Sequence, residues 1–149
     1  LYNMTKPVWE TLELMNKQRS KEDKIRVLKE NETWALKDII RGSIDTTVEW
    51  NLPAGDPPYT AAPEESHPAH LQKENQKFIY FVKGGQGDHM PAYKRERIFL
   101  GILEGVHPSD AELVANMVKK VMPKGLSRPI VDGAFPGLLQ DNSRSVNTN

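Results

Sequence analysis

Apolar residues recur at steps of three and four through much of the chain, most clearly over residues 91–121. Ile98, Phe99, Ile102, Leu103 and Val106 fall on one face of a helix. Ala111, Val114, Val118 and Val121 form the stripe of a second helix, widened by Leu113 and Met117. Between the two, Gly105 suits the left-handed turn that closes a helix, and Pro108 cannot extend one. Ser109 and Glu112 have the spacing of a capping box. So short a connection predicts a helical hairpin whose stripes meet each other or share a third partner.

The same periodicity predicts shorter helices on either side. Pro7 opens one with Val8, Leu12 and Met15 inward, and Ser20 caps another with Ile25 and Leu28 inward. Asn31 is the expected cap of a third, in which Trp34, Ala35, Leu36, Ile39 and Ile40 are buried and Gly42 is the stop. Trp9 and Trp34 read as core anchors. Ser66 precedes a helix over 70–82 with Leu71, Phe78, Ile79 and Val82 inward, ended by the glycines at 84, 85 and 87. Ser127 opens a last helix carrying Ile130, Val131, Ala134 and Phe135. The prediction is a mainly α fold: one multi-helix domain over 1–139, of about six to seven short helices around the hairpin. Residues 140–149 read as a polar, disordered tail.

One stretch breaks the helical rhythm. Ile44, Thr46, Val48, Trp50 and Leu52 alternate with polar residues, the pattern of a strand. Five prolines then stiffen residues 53–68. Together, 44–68 form an extended β-like and proline-rich arm inserted in the helical domain. A lone strand seeks a ladder, and rigid aromatic anchors dock at low entropy cost. Val48, Trp50, Leu52, Pro57, Pro58 and Tyr59 are therefore the candidate partner-binding residues, facing another protein or a second copy of the chain.

Charge and composition narrow the chemistry. Twenty basic and twenty acidic residues cancel, so net charge does not favour nucleic-acid binding. Tyr93, Lys94, Arg95 and Arg97 are the one cluster suited to phosphate contact, whereas Lys119, Lys120 and Lys124 equally suit a helix end. The absence of cysteine excludes disulfides and thiolate metal sites. No apolar run reaches membrane-spanning length, and no signal peptide is read before the first helix. Leu1 with Met4 just behind it fits an alternative start codon or a truncated chain.

No catalytic residue, cofactor or metal site is predicted. The glycine cluster follows a helix and lacks the Lys-Ser or Lys-Thr pair of a phosphate loop. His67 and His70 have Pro68 between them and lack the helix of a zinc motif, so they read as solvated loop histidines.

Several stretches carry a resemblance. They are Trp34-Ala35-Leu36-Lys37, then Val48-Glu49-Trp50-Asn51-Leu52-Pro53 to Gly55-Asp56-Pro57-Pro58-Tyr59, and Arg95-Glu96-Arg97-Ile98-Phe99. Residues 103–113, 124–126 and 134–138 belong to the same pattern. In these the chain resembles an uncharacterised family of small proteins encoded by tailed phages, especially marine myophages infecting cyanobacteria. The resemblance runs from Lys6 to Leu139 and brings no catalytic residue. It implies a phage protein in the virion or the infected bacterial cytoplasm. The expected function is non-enzymatic binding, as an assembly or adaptor component. The alternative is a nucleic-acid-binding accessory of phage replication or transcription, acting through residues 93–97.

Overall fold

Helix starts follow side-chain caps, though not always the residues the sequence suggests. A computed structural model describes residues 5–141. In chain order these form α1 (Val8–Asn16), α2 (Lys21–Glu30), α3 (Trp34–Ile44), α4 (Leu71–Glu74), α5 (Ala92–Gly105), α6 (Pro108–Val118) and α7 (Arg128–Ala134). Ser20 Oγ accepts from the Asp23 N–H at 3.0 Å and Ser127 Oγ from the Ile130 N–H at 3.4 Å, as expected. Asn31 instead ends α2, donating its side-chain amide to the Val27 carbonyl, and Thr33 caps α3. The expected capping box gives way to His107, whose Nδ1 accepts the Ser109 N–H at 3.0 Å with Pro108 in the first turn. Gly105 is the last residue of α5, and Val106 makes the turn in an extended conformation.

The predicted hairpin forms, and α6 is its hub. It packs on α5, α3 and α1, while α2 packs on α1 and α7. Phe99, Ile102, Leu103 and Val106 meet Ala111, Val114 and Met117 in a core shared with Leu36, Ile39, Ile40, Val8, Leu12 and Met15. Each fully buried large side chain of this kind contributes about 1.5–3 kcal/mol relative to an exposed one. Val121 is 47% exposed because α6 ends at Val118 and Lys120 turns the chain with φ of 60°.

The expected helix over 70–82 tightens instead. After α4 the chain continues as a 3-10 segment, Asn75–Tyr80. Its inward residues are Asn75, Phe78 and then Phe81, three apart, which matches a three-residue turn rather than an α-turn. Ile79 is thereby turned out, 47% exposed. A second 3-10 turn, Gln86–His89, follows the glycine stop.

The expected strand is mostly absent. Its first residue, Ile44, finishes α3; residues 46 and 47 turn; and only Trp50 bridges Val82 in antiparallel fashion. Two backbone bonds mark that bridge, Asn51 N–H to the Phe81 carbonyl at 2.6 Å and Lys83 N–H to the Glu49 carbonyl at 2.8 Å. A cation gathers the carbonyls of the last turn of α3 and of the residues after it. Lys120 Nζ reaches the carbonyls of Gly42, Asp45 and Val48 at 2.8, 2.7 and 2.9 Å.

Gly42 lies inside α3 and is no stop. A Cβ there would sit 2.6 Å from Trp50 Cζ2 and 2.7 Å from Met117 Sδ. Overpacking of this kind costs about 1–3 kcal/mol, against about 1 kcal/mol gained from alanine's helix propensity. Gly42→Ala should therefore destabilise the fold by about 1 kcal/mol, read as a lower urea midpoint. An unchanged or raised midpoint would mean that Trp50 yields without cost.

Candidate functional site

The arm wraps the core more than it reaches out. Trp50, half-buried, donates its indole N–H to the Gly42 carbonyl at 2.9 Å and meets Phe78 edge-on at 6.2 Å. Leu52 and Tyr59 also pack on the core, and Val48 and Pro57 are half-buried; of the candidate docking residues only Pro58 is exposed. The expected exposed aromatic anchors are thus corrected: their rings help to fasten the arm. Residues 53–58 close over Phe99, Leu100 and Val118 around an apolar cavity of about 100 Å³. Lys119 Nζ meets Asp56 at 2.5 Å, and the Thr60 N–H meets Glu104 at 3.0 Å. Ion pairs as exposed as this one contribute little, so the packing holds the arm.

The basic cluster divides. Tyr93, Lys94 and Arg97 are exposed on the first turns of α5, with the Arg97 guanidinium 5.7 Å from the Tyr93 ring centre. Arg95, expected among the phosphate contacts, is instead 8% exposed. Its Nε donates to the Asn51 carbonyl at 2.8 Å, and its Nη1 donates to those of Gly87 and Met90, both at 3.0 Å. One guanidinium thus ties together the arm, the glycine turn and the start of α5. Gly87 has no room for a side chain there, since a Cβ would lie 1.7 Å from the Tyr80 carbonyl oxygen.

Three histidines gather where the sequence placed only two: His70 is exposed as expected, His67 is half-buried, and His107 joins them. His107 is 9% exposed and stacks on Trp9 at 4.6 Å; His67 meets His107 edge-on at 5.4 Å and His70 at 5.6 Å. With Asp110 they line a cavity of about 90 Å³. The His107 Nδ1 accepts the Ser109 N–H, so its ring proton sits on Nε2. That tautomer has no lone pair left for a metal ion. Among the described residues no three of these side chain types hold metal geometry.

Asp110 was invisible as a site residue, because an acid in a first helical turn reads as a dipole partner. Only the packing of α1 on α6 buries it, with Oδ1 accepting the Trp9 N–H at 2.9 Å. Burial pushes its carboxyl up to about 6, although the Trp9 N–H and His67 pull the other way. A raised acid costs the fold its charge above that value. This contribution to stability is fully present below about 4 and is lost as pH rises through about 6. Asp110→Asn keeps the acceptor and removes the charge. Its melting temperature should match or exceed that of the parent protein at pH 7, with the difference narrowing below pH 6 and closing towards pH 4. A loss at pH 7 would mean that the carboxylate itself is needed.

The outer face of α3 holds the most exposed large apolar side chain among the described residues. Trp34, expected in the core, is 71% exposed, because α3 turns inward only from Ala35 and Leu36. Lys37 Nζ lies 4.1 Å from its ring centre and 5.9 Å from that of Phe135. Beside it runs a groove of about 430 Å³ lined by Trp34, Lys37, Arg41, Phe135, Pro136 and Leu138.

Trp34, the arm, Arg95 and the α5–α6 hairpin all lie within residues 11–124, the span that matches the profile of a family of unknown function (DUF6433). The chain belongs to that family. No curated protein matches it. The DUF6433 span contains α2 to α6 whole and stops before α7, so the Phe135 side of the Trp34 groove comes from outside it.

Proposed function

We propose that this chain is a non-enzymatic binding protein of a tailed phage, an assembly or adaptor component working in the virion or in the infected bacterial cytoplasm. The observation that carries the reading is Trp34, a large aromatic side chain left outside the core on a well-anchored helix. Buried tryptophan and arginine anchors dominate the energetics of protein interfaces. Trp34 with Arg41 and the adjoining groove has that make-up, and α3 fixes the backbone that carries both. The phage setting rests on the sequence resemblance over residues 6–139. Nucleic-acid binding through residues 93–97 is disfavoured because Arg95 has both its Nε and its Nη1 engaged internally.

Mass spectrometry of purified virions against infected-cell lysate would place the protein, and tagged protein from infected cells would bring down its partner. Trp34→Ala should weaken that capture by about 2 kcal/mol, roughly thirtyfold in Kd, with the helical circular dichroism unchanged. Capture undiminished by Trp34→Ala would overturn the docking role of this face.

A further inference from the structure

Between α3 and the 3-10 segment Asn75–Tyr80 lies a different kind of space. It is a cavity of about 220 Å³, walled by Trp50, Phe78, Ile79 and Val82. Asp38, Arg41 and Asn75 complete its lining. Asn75 Nδ2 donates to Asp38 Oδ2 at 2.9 Å. That bond orients the amide, because a carboxylate cannot donate, and leaves Asn75 Oδ1 as an acceptor. This oxygen is buried and has no hydrogen-bond partner among the described residues, in a side chain only 7% exposed.

Among the described residues Asp38 forms no ion pair. Two cations act on it from a distance, and each pairs with another acid: Arg41 Nε with Asp45 at 3.4 Å and Lys37 Nζ with Glu32 at 2.6 Å. Burial raises the Asp38 carboxyl above its ordinary value, and the Asn75 bond, Arg41 and Lys37 offset this only in part. The cavity therefore joins a half-buried carboxylate, with Arg41 beside it, to apolar and aromatic walls. An anion would be repelled by Asp38, and a purely apolar guest would strip its water and return no hydrogen bond. A donor-bearing cation on an apolar stem satisfies both parts.

We infer that this cavity is a binding site for a guanidinium or primary ammonium group on an aliphatic stem, with the charged head at Asp38 and the stem along Trp50, Phe78 and Val82. The planar head of a guanidinium fits a carboxylate with two parallel bonds, so it is the stronger guest of the two. Such a head comes from a free amine or from a basic side chain of a partner. The inference does not rest on the docking role of Trp34.

The test is a titration of the full chain, labelled with nitrogen-15, with agmatine as the probe and the Trp50 indole N–H resonance as the readout. The resonances of Trp9 and Trp34, which do not line this cavity, serve as internal references. A saturable shift confined to Trp50 is expected, weakened at least about tenfold by Asp38→Asn. That variant keeps an oxygen to accept the Asn75 bond and removes a buried charge, so it should fold. Butylurea, with a similar stem and no charge, should leave Trp50 unmoved. A pentapeptide with a central arginine separates the sources: tighter binding than agmatine points to a partner side chain, weaker binding to a free amine, and either supports the site. Absence of a saturable agmatine shift, or an equal shift in Asp38→Asn, would overturn it.

Discussion

Replacing Arg95 with methionine should cost the fold about 3–5 kcal/mol and loosen the arm from α5. The side chain is buried, and three carbonyls, those of Asn51, Gly87 and Met90, depend on it. A hydrogen bond from a charged donor contributes about 1.5–3 kcal/mol, and the three are not additive because one group makes them all. Methionine keeps most of the stem volume, so the loss reports the hydrogen bonds rather than a cavity. Lysine should not rescue it, since a single ammonium cannot reproduce the fork of donors. The measurement is a urea midpoint, with limited proteolysis of residues 53–68 as a second readout. If the midpoint held and cleavage did not quicken, Arg95 would have no such role.

The second large effect is expected at the end of the described chain. Asp141→Ala should cost about 3 kcal/mol, the lower end for breaking a buried charge pair, because Arg128 keeps part of its side chain in water. Asp141 is 5% exposed, pairs with the Arg128 guanidinium through both oxygens, and accepts the Thr46 N–H at 2.9 Å. Asp45 returns the contact by accepting the Gln140 N–H at 2.8 Å. The two acids clasp the C-terminal segment to the end of α3. Burial opposes ionisation of Asp141, but the bonds from Arg128 and Thr46 outweigh it and hold the carboxyl down at about 2. For a lowered acid the sign is opposite to that at Asp110. Its contribution is complete above about 4 and is lost as pH falls towards 2. Thermal melts of the parent protein and Asp141→Ala should therefore converge as pH falls from 4 to 2. A constant gap across that range would show that the charge is not what stabilises the clasp.

This clasp also corrects the boundary read from the sequence, which began a disordered tail at residue 140. Gln140 and Asp141 are held in the fold, and residues 142–149 lie outside the described chain. Polarity alone suggested a tail, because nothing local distinguishes an aspartate in water from one paired with an arginine thirteen residues earlier.

What the sequence determined by itself is the part governed by local physics. Apolar spacing is enough to assign α1, α2, α5 and α6 and to place Leu103, Val114 and Met15 in the core, because a helix must bury whatever stripe it carries. Ser20 and Ser127 cap because the donors they satisfy lie three residues away. Tertiary structure decided everything that depends on a distant group. Residues 44–52 alternate as a strand would, yet Ile44 finishes α3 and Lys120, distant in sequence, holds the Gly42 and Asp45 carbonyls. Arg95 looks like a phosphate contact until three carbonyls from separate segments converge on it. Trp34 looks like core until the orientation of α3 turns it to solvent. Asp38 and Asp110 look like ordinary helix acids until neighbouring elements close over them. In each case the deciding energy is the desolvation of one polar or aromatic group, and only the folded chain sets how much water that group keeps.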